Sequence, residues 1–199
     1  MANAFSVPDT SSSAAVTDTA IVGDNPTPFG SAVLGTTTTD VLTTGDLSTG
    51  DAGDMGSCAS FAVELWVQWT VGGGMPGVAN TFIRGPLTSG GTQWGITIGA
   101  GSVLSGFAVD DTSVTRTATA STVLLAGFFY HVVFTAQGGN LNVYLNGVLD
   151  GTTATWGSHT VLKMGTTAGS EDMRIVGPSV ATTMYADEVA VYRLGLTAA

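Results

Sequence analysis

Fifteen Asp and Glu residues include three adjacent pairs, Asp110-Asp111, Glu171-Asp172 and Asp187-Glu188, and acid–base chemistry would have to begin there. Glycoside hydrolysis needs two carboxylates flanking one bond. Successive side chains of a strand point to opposite faces, so an adjacent pair cannot serve one sugar by itself. The two histidines offer no better base. His131 sits inside an apolar strand and is expected to be a satisfied core residue, while His159 lies in a loop with no evident partner. A serine nucleophile would lack its base for the same reason. Cys58 is the single cysteine, which excludes an internal disulfide and a cysteine-rich zinc site. With no histidine nearby it reads as a small buried hydrophobe beside a strand. The expectation is a protein that is not an enzyme.

Binding chemistry has better candidates. Sugar sites combine aromatic platforms with a few hydrogen-bonding side chains. Trp94, Trp156, Phe107 and Tyr130 are the aromatic residues to weigh. Trp66 lies in the strongest apolar motif and is assigned to packing. Trp94 begins an alternating strand, which favours the core. Trp156, in Thr155-Trp156-Gly157-Ser158-His159, falls where a loop should be and is the better candidate for exposure. Trp156, His159 and Trp94 are therefore the candidate carbohydrate-binding residues.

The elements that would position these residues are strands. Phe61, Val63, Leu65, Val67 and Trp69 form one face of a segment whose other face carries Ala62, Glu64, Trp66 and Gln68. Because the second face is mixed, this strand is expected to be central and covered on both sides. Alternation continues over 94–98, 103–109, 112–119, 130–135, 141–145, 161–164 and 184–192, and no stretch keeps a helical apolar series. Gln137-Gly-Gly-Asn140 and Asn146-Gly147 read as hairpin turns, the second of type I′. Short strands with Gly-rich turns every 8–12 residues or so indicate an antiparallel sandwich or barrel. Residues 1–28 are read as an N-terminal arm or edge-strand segment, and 29–199 as one jelly-roll domain.

Composition sets the outer bounds. The 199 residues carry 44% apolar and 10% charged side chains with a net charge of -10, so intrinsic disorder is not expected. A chain of this size buries roughly 70% of its unfolded surface and folds without staples. Arg84, Arg116, Lys163, Arg174 and Arg193 are scattered, and the first 83 residues contain no basic residue, which argues against nucleic acid as a partner. The start lacks the basic and apolar regions of a secretory signal, and the apolar run 123–129 is short and broken by Gly127. The expectation is a soluble protein made in the cytoplasm, with no membrane partner.

Five stretches in order resemble the laminin-G-like, concanavalin A-like jelly-roll family. Phe61-Ala-Val-Glu-Leu-Trp-Val67 is similar to its F-T-V-E-A-W-V strand, and Gly127-Phe-Phe-Tyr130-His131-Val-Val-Phe134 to its G-x-W-H-H-V-A strand. Asn140-Leu-Asn-Val-Tyr144-Leu-Asn146-Gly147 matches the L-x-L-Y-V-N-G hairpin, Leu162-Lys-Met-Gly165 the L-x-I-G segment, and Asp187-Glu188-Val-Ala-Val-Tyr192 the closing D-E-V-R-I-Y. The chain departs from the family in Tyr130, where a Trp is common. A weaker opening match, from Pro8-Asp9 to Val33, extends the resemblance over nearly the whole chain.

The resemblance implies an all-β fold of two packed antiparallel sheets, one concave and one convex, with ligands on the rim or the concave face. The family's glucanase branch uses a Glu-x-Asp-x-x-Glu strand, and that spacing is missing here. Many relatives hold Ca²⁺ at the rim, a cation wanting six to eight oxygens. Asp110, Asp111, Asp150 and Asp172 lie in expected loops and are the candidate metal ligands, although no D-x-D-x-D-G loop is present. No other cofactor is expected. The first expected role is a virion structural or decoration protein, on a phage head or tail, with capsid or tail protein and copies of itself as partners. The alternative is a carbohydrate-binding module or adhesin for cell-surface glycans, and a diverged hydrolase or lyase ranks last.

Overall fold

A computed structural model describes residues 17–19, 25–27, 30–35, 41–43, 55–69, 80–85, 87–88, 91–99, 101–153, 155–162, 174–176 and 184–193. In chain order the strands are β1 Thr17–Thr19, β2 Asn25–Thr27, β3 Gly30–Gly35, β4 Val41–Thr43, β5 Phe61–Trp69 and β6 Asn80–Arg84. They continue with β7 Leu87–Thr88, β8 Gly91–Thr92, β9 Trp94–Ile98, β10 Val103–Val109 and β11 Thr115–Val123. The last are β12 Tyr130–Gln137, β13 Asn140–Leu145, β14 Val148–Thr153, β15 Arg174–Val176 and β16 Met184–Tyr192. Among the described residues there is no helix, and so none long and apolar enough to cross a membrane.

The strands form two antiparallel seven-stranded sheets. The first runs β1-β4-β15-β6-β9-β10-β11 and the second β14-β13-β12-β5-β16-β3-β2, with β7 and β8 as a separate small hairpin. This is the all-β jelly-roll sandwich. Within the N-terminal segment, β1 pairs with β4 and β2 with β3, each at the outer end of a sheet. Asp172, Glu171 and Lys163 lie outside the described residues.

Period-two patterning explains the layers. Phe61, Val63, Leu65, Val67 and Trp69 of β5 are buried together with Val132 and Phe134 of β12 and Leu141, Val143 and Leu145 of β13. Facing them from the first sheet are Phe82, Ile83, Trp94, Ile96, Ile98, Leu104, Ala108 and Ala118. Close approach between the layers needs a missing side chain at Gly106, where an added Cβ would fall on the Phe134 ring. Two tight turns carry the register of β12–β13 and β13–β14. Gly138 and Gly139 have φ of 58° and 80°, and Asn146 and Gly147 have 51° and 80°, so each turn has the two positive φ angles of type I′.

Two segments differ most from the sequence reading. The strand expected at 112–119 begins at Thr115, because Asp110 captures Thr112 and Val114 in a tight turn. The strand expected at 161–164 is reduced, among its described residues, to an isolated bridge between Val161 and Asp110.

Candidate functional site

The expected binding residues meet at one rim. Segment 155–162 is threaded between two others. Ser57 N donates to Val161 O at 2.8 Å, Val161 N to Cys58 O at 2.9 Å, Asp111 N to Thr160 O at 2.8 Å, and Leu162 N to Val109 O at 2.9 Å. Gln93, fully buried, braces the same place: its amide donates to Leu162 O at 2.7 Å and its carbonyl accepts from Met55 N at 3.3 Å. This stitching pulls Trp156 inside. Trp156 has no exposed surface, meets Phe61 edge-on with ring centres 6.2 Å apart, and donates from Nε1 to Ala59 O at 3.0 Å. Trp94 is also fully buried, its indole lying where a side chain at Gly85 would be. Neither tryptophan offers a face to a sugar, which corrects their assignment to carbohydrate binding.

The rim does bring His159, Asp110 and Asp111 together, with one potential ligand atom from each within 4.8 Å of the others. Arg116 occupies the centre of that group. Its Nε donates to Asp110 Oδ2 at 2.7 Å and its Nη2 lies 3.3 Å from His159 Nε2. The other Asp110 oxygen accepts from Thr112 N at 2.9 Å, Thr112 Oγ1 at 2.6 Å and Val114 N at 3.0 Å. His159 Nδ1 lies 2.8 Å from Asp111 Oδ1 and therefore carries its proton toward that carboxylate, leaving Nε2 as the acceptor facing the guanidinium.

Burial alone would raise the Asp110 carboxyl. The bonds from Thr112, Val114 and Arg116 overcome it and hold the group well below the usual carboxylate range.

These residues do not fit calcium. The cation they enclose is Arg116, one of the three potential ligands is a nitrogen, and the buried carboxylate is saturated. Asp150 belongs to another place. It accepts from Ser121 Oγ at 2.8 Å, Thr122 N at 3.0 Å and Thr122 Oγ1 at 2.8 Å, toward the far end of β11 from Asp110, ~20 Å away at strand rise. The Asp110–Asp111–Asp150 metal set is therefore not assembled.

A second constellation lies on the outer face of the second sheet, and the sequence reading missed it. Strand register puts Trp66 opposite His131 on one side and Asp187 on the other, and Glu64 opposite Val133 and Ala190. The Trp66 and His131 ring centres are 5.0 Å apart at 39°. His131 Nε2 lies 2.7 Å from Glu64 Oε1, so that nitrogen bears a proton, and Tyr192 donates from its hydroxyl to Glu64 Oε2 at 3.3 Å. Gln68, Tyr144 and Thr152 share this face by strand parity. Trp66, Glu64, His131, Tyr144 and Tyr192 are all partly exposed. Burial and the adjacent Glu64, by its charge and its hydrogen bond, raise the Tyr192 phenol above its ordinary value.

Two expectations change here. Trp66 packs on His131 and not in the core, and His131 is not in the core either: both stand on the outward side of the pleat. The β5 strand is central, between β12 and β16, but its second face is only partly covered. The available signal was parity, since Trp66 alternates with Glu64 and Gln68 and not with Leu65 and Val67.

A family model described as "Concanavalin A-like lectin/glucanases superfamily" matches residues 35–199. The chain belongs to this superfamily. Solved structures similar to it include the binding domain of Paraclostridial Mosquitocidal Protein 1, at TM-score 0.70 and 9% identity, over 92% of this chain and 45% of that one. The binding domain of botulinum neurotoxin serotype G matches at 0.67 and 14%, over 94% and 45%. A botulinum neurotoxin type C structure, described as entering cells in dependence on two ganglioside molecules, matches at 0.61 and 13%, over 92% and 44%. This superfamily member thus spans less than half the length of the structures it matches, and at these identities the likeness is one of fold. No curated protein matches the sequence.

Proposed function

We propose that the chain is a non-catalytic, lectin-like carbohydrate-binding domain that holds glycans on the outer face of its second sheet. The observation carrying this reading is the Trp66–His131–Glu64–Tyr192 group. It joins a partly exposed indole to hydrogen-bonding groups held in place before a ligand arrives, which is what a sugar ring with its hydroxyls selects. Superfamily membership and the likeness to toxin binding domains support a binding role, and favour it over the particle-decoration role expected from sequence. An adhesive position on a virion is compatible with such a face, and mass spectrometry of purified particles would test it.

Glycan-array binding by the full chain, compared with Trp66→Ala, tests the proposal. The expected result is binding that falls at least about tenfold in the variant, the scale of one lost stacking contact. Arrays blank for both proteins, or equal binding by a folded Trp66→Ala protein, would overturn it.

A further inference from the structure

We infer that this face selects uncharged glycans and rejects those carrying carboxylate or sulfate. The inference rests on the glycan-binding reading above and narrows it to a ligand class. The seven strands of the second sheet contain no Lys or Arg. Of the five basic residues, Arg84, Arg116 and Arg174 lie on β6, β11 and β15 of the first sheet, and Arg193 follows the end of β16. Lys163 falls between strands in sequence. The second sheet meanwhile carries Glu64, Asp150, Asp187 and Glu188.

On the outer face itself, one partly exposed acid flanks the platform. Glu64 is two residues from Trp66 along β5, whereas Asp187, opposite Trp66 on β16, is buried and accepts from Glu188 N at 2.9 Å. The one side chain of this sheet that can become cationic is His131, and its Nε2 is already committed to Glu64 at 2.7 Å. A sialylated or sulfated sugar stacked on Trp66 would meet the Glu64 carboxylate, and the strands of this sheet hold no Lys or Arg to receive its charge. Like charge at that distance, in a partly desolvated site, is repulsive. A neutral sugar meets acceptors instead. Its hydroxyls donate to Glu64 and to the amide oxygen of Gln68, and its apolar ring face covers the indole.

The test uses the full chain and Trp fluorescence or calorimetry with three probes: neutral gluco- and xylo-oligosaccharides, sialyllactose, and a heparin-derived hexasaccharide. The expected result is binding to a neutral probe that does not change between low and high ionic strength, and that is lost in Trp66→Ala. Glu64→Gln, which keeps the shape and removes the charge, is expected to narrow the gap between neutral and anionic probes. Preferential binding of sialyllactose or the heparin fragment, lost in Trp66→Ala, would overturn the charge rule while leaving the glycan face standing. No binding of any probe, or binding indifferent to Trp66, would bring down the face itself.

Discussion

The rim and the outer face each gather a histidine, carboxylates and a cation or an aromatic ring, yet they are built to opposite ends. At the rim, every hydrogen-bonding position of Asp110 is met from inside the protein, His159 is held between Asp111 and Arg116, and the tryptophan beneath is sealed. On the face, Glu64 touches His131 and Tyr192 but keeps 30% of its side chain in solvent, and the indole of Trp66 is partly open. Under the proposed function, the difference separates structural from binding use of the same chemistry. A group whose lone pairs are all committed stabilises the fold, and one with capacity left over can take a ligand.

The largest effect that would sharpen this contrast comes from Trp156→Ala. It removes a sealed indole and leaves the Ala59 carbonyl without its donor, costing about 3–5 kcal/mol of stability in chemical denaturation. Any of the variant that folds should bind glycans on the outer face as the parent does. A Trp156→Ala protein of parental stability that has lost sugar binding would reverse the roles given to the two regions.

Asp110→Ala comes next. It strands Arg116 and the Thr112 and Val114 amides, and is expected to cost about 3 kcal/mol by the same measurement, with glycan affinity unchanged. The pH dependence has a definite sign. The folded Asp110 carboxyl lies below its ordinary value of 3.8, so near and below that pH the unfolded chain takes up a proton that the folded one refuses. Stability from this group is complete above about pH 5 and drains away as pH falls through and below 3.8. Asp110→Asn should flatten that part of the stability profile. An unchanged acid limb would remove Asp110 from its place as the rim's anchor.

How much of this was legible in the sequence follows from the range of the interactions. Alternation and the two glycine or Asn-Gly turns are local, and they announced β5, β9, β10, β12, β13 and β16, with hairpin turns after β12 and β13. β14 and β15 were not anticipated. The first begins with two exposed apolar residues, Val148 and Leu149, and the second is three residues held by neighbours far away in sequence. Trp156 looked like a loop residue because its Gly-Ser-His surroundings are polar, whereas its burial depends on Ala59, 97 positions earlier. Arg116 escaped notice for a like reason, since its partner His159 is 43 positions away. Trp66 and His131 were different. Their parity was readable within single strands, but the apolar weight of the surrounding motifs outvoted it.

The smallest expected effect tests whether the face works as one hydrogen-bonded unit. The Tyr192 phenol is raised by burial first, and then by the charge and hydrogen bond of Glu64. Glu64→Gln leaves the burial and removes the charge, so ultraviolet titration should show Tyr192 ionising at lower pH than in the parent while staying at or above its ordinary 10.0. The raised phenol also means that the folded state holds this proton longer than the unfolded state does. Its contribution to stability is present below pH 10.0 and is lost as pH rises through the folded value, and the variant should lose it over a narrower range. Because Glu64 is partly exposed, the change should stay within a few tenths of a kcal/mol. A Tyr192 titration indifferent to Glu64→Gln would mean the two side chains do not meet in solution, and the face would then lack the order that sets it apart from an ordinary polar surface.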